Sequence, residues 1–177
     1  MIQKRLTNEA PLTKLFKQTK LTIITGAEKF IKPFVRYNEL RYEMKSFTII
    51  FNGTRFAIQS SDDDIDKEEP IFLYAFDSVC TADKRNLVVD IIKILHQLSQ
   101  DSDTPHVAFI PCATHSQWRS LQFHLPEMVK DSSQLLLLNW RDDTHIDLTI
   151  ERGEHIGEYI PFHFDSVSCK FTELLLK

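Results

Sequence analysis

Three uninterrupted apolar runs constrain this chain more than anything else in it: Ile71–Phe76 (IFLYAF), His106–Ile110 (HVAFI) and Leu135–Leu138 within SQLLLLNW. A strand with one face in water alternates apolar and polar side chains, so a run without alternation needs apolar neighbours on both faces. Helices lie between these runs. Leu87, Val88, Ile91, Ile92, Leu95 and Leu98 recur at helical spacing within Asp83–Gln100. A weaker helix opens near Thr114, with Trp118, Leu121 and Leu125 on one side and Pro126 to kink or end it. The pattern reads as β-α-β-α-β with right-handed crossovers.

Other segments complete the expected body. Phe47–Phe51 and Thr54–Gln59 flank Asn52-Gly53, the sequence of a two-residue hairpin turn. His145–Ile150 alternates strictly, as expected of a half-exposed edge strand. Residues 153–165 read as a loop around Pro161. The spacing of Val167, Phe171, Leu174 and Leu175 predicts a closing helix.

The N-terminal part reads differently. A short basic helix is expected over 9–19, a β-branched run at Leu21–Thr25, a helix over 27–36 interrupted by Pro33, and a polar linker over 37–46. Residues 1–45 hold ten Lys or Arg against four acids, while the other 132 hold eleven against 21. The expectation is therefore a basic arm, 1–45, packed on its own body or on a partner, joined to one globular domain, 46–177. That domain is α/β (or α+β), with a mixed sheet, a βαβαβ centre, an antiparallel hairpin and helices on both faces. At 177 residues the chain buries roughly 70% of its unfolded surface, enough for a core without staples.

Several function classes are disfavoured. Only Gly26, Gly53, Gly153 and Gly157 are present, and none belongs to a phosphate-cradling GxGxxG or GxxxxGK[ST] loop. The apolar runs are too short to span a membrane. Cys80, Cys112 and Cys169 form no CxxC pair, which points to reduced thiols and a cytoplasmic location. No cofactor and no metal site is expected. Asp62-Asp63-Asp64-Ile65-Asp66 opens like a calcium loop, but Lys67 and Leu73 stand where that loop needs Gly and Glu. Glu43-Met44-Lys45 resembles half of a nuclease site without its upstream Asp. The pairs His145/Asp147 and His163/Asp165 place imidazole and carboxylate on one strand face, without a third ligand at a known spacing.

One catalytic constellation remains. Cys112 ends a buried strand and His115 opens the next helix, the position where a thiol becomes acidic and nucleophilic. A packed Cys112 with Thr114 capping the helix explains the same residues. The leading expectation is a non-enzymatic cytosolic protein-interaction module, an adaptor or regulatory subunit with a protein partner. The alternative is nucleic-acid binding through the basic segment, using Lys14, Lys17, Lys29, Lys32 and Arg36 on phosphates and Phe30, Phe34 or Tyr37 on bases. A small cysteine-dependent hydrolase or transferase comes third.

Overall fold

The computed structural model describes residues 11–42, 46–59 and 71–174. The acidic segment at 62–66 and the Glu43–Lys45 triplet lie outside the described residues. Among the described residues one mixed sheet of nine strands runs in the order β3-β2-β4-β5-β1-β6-β7-β8-β9. The α/β class expected from the apolar runs is the class observed.

Leu21–Ala27 forms β1, and it pairs in parallel with β5 (His106–Cys112) on one side and β6 (Ser133–Trp140) on the other. This corrects two expectations. The βαβαβ centre is interrupted, because β1 separates β5 from β6. A basic arm separate from the globular domain is not observed either, since the fifth strand across the sheet comes from within 1–45. The run LTIIT is β-branched and apolar on both faces, which suits a strand with neighbours on each side and helices above and below.

Helix α1 (Pro11–Phe16) and helix α2 (Glu28–Tyr42) cover one face of the sheet. Leu12, Leu15, Phe16, Phe30, Ile31 and Phe34 pack there against Ile24, Phe109, Leu136 and the inward residues of the later strands. Phe34 is fully buried and meets the rings of Tyr37, Phe109, Phe162 and Phe171 edge-on, at 5.2–6.2 Å. A core aromatic of this kind contributes about 3–5 kcal/mol against truncation to Ala. Helix α2 runs through Pro33 and continues over the expected linker to Tyr42.

The opposite face carries α3 (Arg85–Gln100), α4 (His115–His124) and α5 (Glu127–Ser132). Their apolar stripes, Val88, Ile92, Leu95, Trp118, Leu121 and Val129, close over Ile23, Tyr74, Ile110 and Leu135. The hairpin forms as β2 (Ser46–Phe51) and β3 (Phe56–Gln59), with β2 also parallel to β4 (Phe72–Phe76). Its loop is longer than the expected two residues. Phe51 pairs with Phe56, and the Asn52 carboxamide oxygen accepts from the N–H groups of Thr54 and Arg55.

Beyond β6 the sheet turns antiparallel through β7 (His145–Arg152), β8 (Tyr159–Asp165) and β9 (Lys170–Glu173). Three expectations fail here. Strand β7 is interior rather than at an edge, the 153–165 loop contains β8, and the closing helix is β9. The turn explains the last. Asp165 accepts from the N–H groups of Val167 and Ser168, Cys169 takes φ of 55°, and the chain reverses.

Candidate functional site

Strands β1 and β5 are neighbours, yet the chain leaves β1 toward α2 on one face and leaves β5 toward α4 on the other. Such a divergence opens a crevice beyond the carboxyl ends of the strands, the usual ligand position in open α/β sheets. A cleft of about 320 Å³ lies there. Its floor is Gly26, Ala27, Cys112 and Leu137; its rim includes Lys29, Phe30, Thr114, His115, Asn139 and Trp140.

Local sequence builds each wall. Thr114 caps α4 by accepting the Gln117 N–H at 3.1 Å, which orients the first turn and places His115 at the opening. Gly26 allows β1 to approach β6: a Cβ there would stand 3.0 Å from the Leu138 Cβ. Strand β1 passes directly into α2 without a glycine-rich turn, so the backbone offers no phosphate cradle of the common kind. The Lys29 ammonium lies 4.9 Å from the Phe30 ring centroid and 5.4 Å from that of Trp140. Trp140 itself is 55% exposed. Lys29 is exposed, so an ammonium attracted to two aromatic faces stays available to an anion.

The structure brings Cys112, His115, Lys29 and Phe30 to one cleft, but not as a catalytic pair. The described hydrogen bonds of Cys112 go to Thr25, 3.0 Å away, and weakly to the Ile110 carbonyl, rather than to His115. Cys80 stands beside it, and this neighbour together with burial pushes the Cys112 thiol far above the ordinary range. A nucleophile at neutral pH needs the reverse.

The other candidates disperse. Phe34 is buried in the core and is not available to bases. Lys32 pairs with Glu28 at 3.1 Å. Lys14 belongs to α1 and Lys17 follows it, before β1 begins, while Lys29 lies past its other end. The seven residues of β1 separate these cations by roughly 20 Å. Arg36 faces a second groove, of about 800 Å³, between α2 and β9, together with Pro33, Tyr37, Leu40 and Phe171.

In the first imidazole–carboxylate pair each member has a different partner. His145 bonds Asp142 through Nδ1 at 2.8 Å, and Asp147 bonds Arg141 at 2.9 Å. Asp142 is held down at about 2, mainly by the Thr144 N–H and then by His145. Asp147, expected to face solvent, is 7% exposed, and burial raises its carboxyl above the usual range despite Arg141. Among the described residues no group of three or more His, Cys, Asp or Glu side chains is arranged to hold a metal. No described helix is long and apolar enough to cross a membrane.

The sequence reading missed Trp140, Asn139 and Gly26. Trp140 and Asn139 end an apolar run, and strand ends are where such a sheet places its ligands. That was the available signal. No protein-family model matches the chain, and no curated protein matches it at a significant level.

Proposed function

We propose that this protein is a non-enzymatic interaction module, and that it receives an acidic group beside a flat apolar one in the cleft at the ends of β1, β5 and β6. The partner is a protein presenting such a pair of side chains, and a cytoplasmic setting belongs to the same proposal. One observation carries the reading: Lys29 is held over Phe30 and the exposed Trp140 at the mouth of the cleft. Cation and ring together match a carboxylate with an adjacent apolar surface. The shielded thiol of Cys112 removes the support for a cysteine-dependent enzyme. The separation of Lys14 and Lys17 from Lys29 weakens the nucleic-acid alternative, because a phosphate chain is bound best by a continuous basic track.

Phenylacetate and phenyl phosphate, with uncharged phenylethanol as the control, test this reading by NMR. The Trp140 indole N–H should shift with the two anions at about millimolar affinity, near −4 kcal/mol. It should shift at least several-fold less in Lys29→Gln. Unmoved cleft resonances with all three probes, or an equal response to phenylethanol, would refute the proposal.

A further inference from the structure

Cys112, on the floor of the cleft, faces Cys80 behind it across a parallel bridge. The Cys80 N–H donates to the Pro111 carbonyl at 2.7 Å, and the Ala113 N–H donates to the Cys80 carbonyl at 3.4 Å. This ladder fixes the two backbones side by side. Adjacent strands lie about 4.8 Å apart, inside the Cα separation of roughly 4.4–6.8 Å that a disulfide spans. Both side chains belong to the same apolar cluster, so they leave the sheet on the same face. Both are free thiols. Cys80 has no exposed surface, while Cys112 is 4% exposed and lines the cleft, so the cleft is the side from which an oxidant approaches the pair.

We propose that Cys80 and Cys112 are a reversible oxidation site, closing to a disulfide when a peroxide enters the cleft. One sulfur attacks the peroxide, the O–O bond breaks, and a sulfenic acid and a first water result. The second sulfur displaces the hydroxyl group as a second water, and the S–S bond forms. Two thiol protons and two electrons pass to the peroxide, and a dithiol reductant reverses the change. The Cys112 thiol, by hydrogen bonding, pulls Cys80 below its ordinary range, as do Arg85 and Lys84 nearby. Closure takes the Cys112 sulfur from the Thr25 hydroxyl and ties the segment after β4 to the end of β5. The inference does not depend on what occupies the cleft.

The experiment uses the full chain carrying Cys169→Ser, which removes the exposed thiol, treated with hydrogen peroxide under native conditions. Peptide mapping by mass spectrometry should find Cys80 joined to Cys112 and the intact mass lower by two hydrogens. Dithiothreitol should restore both thiols. The oxidised form should melt about 5–10 °C higher, because the cross-link restrains the unfolded chain. Full alkylation of both cysteines after peroxide treatment and unfolding would overturn the proposal. So would a bridge that forms only in urea, or sulfinic acid at either residue without a bridge.

Discussion

His106 shows how one side chain links the fold to pH. It is 4% exposed, its Nδ1 lies 2.8 Å from the Tyr74 hydroxyl, and its Nε2 is buried without a partner. A proton on this ring would create a buried cation whose Nε2–H has no acceptor, and burial lowers its pKa from 6.5 to about 4. The unfolded chain takes up the proton first as pH falls. Stability is therefore complete above pH 6.5 and is lost between 6.5 and about 4, by on the order of 3 kcal/mol. Urea unfolding at half-unit pH steps should trace this decline, and His106→Gln should flatten most of it. His96, also lowered by burial, accounts for part of the remaining slope. A curve equally steep in the variant would assign the loss elsewhere. Residue-level features of this kind were partly legible. Thr114 announced its cap, and the end of the HVAFI run placed Cys112 and His115 at a strand end. The neighbour that decides Cys112 chemistry, Cys80, was not legible, because the bridge joining them forms only after the sheet is assembled.

At the scale of elements, α2 holds the clearest local conflict. Pro33 lies inside the helix, where it removes one backbone hydrogen bond, to the Lys29 carbonyl, and crowds that group at a cost of about 3 kcal/mol. It also restricts the unfolded chain, which offsets roughly 0.4–1 kcal/mol. The helical penalty wins, so Pro33→Ala should raise unfolding free energy by about 2 kcal/mol, read from the urea midpoint at constant slope. Sequence placed a break here because propensity favours one; the tertiary packing of Phe30, Ile31 and Phe34 overrides it. The strands made of continuous apolar residues and the wide stripe of α3 were legible for the opposite reason, local pattern and burial agreeing. In β8 the residues Ile160, Phe162 and Phe164 do alternate inward, but Pro161 masked them as a loop. Proline is tolerated there because it stands at the end of the β8–β9 pairing, which begins at Phe162; the Leu174 N–H still donates to the Pro161 carbonyl at 3.1 Å, so the missing N–H costs only the terminal bond of an edge ladder.

At the scale of the whole molecule, the sheet has a protected middle and two exposed margins. Strand β1 is buried along six of its seven positions and β5 along all seven, whereas β3 and β9 close the edges. Amide exchange at Ile23, Ile24 and Phe109 should require global unfolding, while Ala57–Gln59 and Thr172 exchange orders of magnitude faster through local fraying. Comparable rates in β1 and β3 would contradict the strand order. That order was the part least legible in the sequence, since β1 pairs with strands far along the chain and no local pattern encodes a partner. The same arrangement has a consequence during synthesis. The apolar strand beginning at Leu21 meets its first neighbour only when the segment from His106 is made, and its second with Ser133. At ordinary elongation rates the ribosome holds that strand unpaired for on the order of ten seconds. A nascent chain stopped short of residue 112 would carry the middle of a sheet with no sheet around it, and would be a substrate for chaperones.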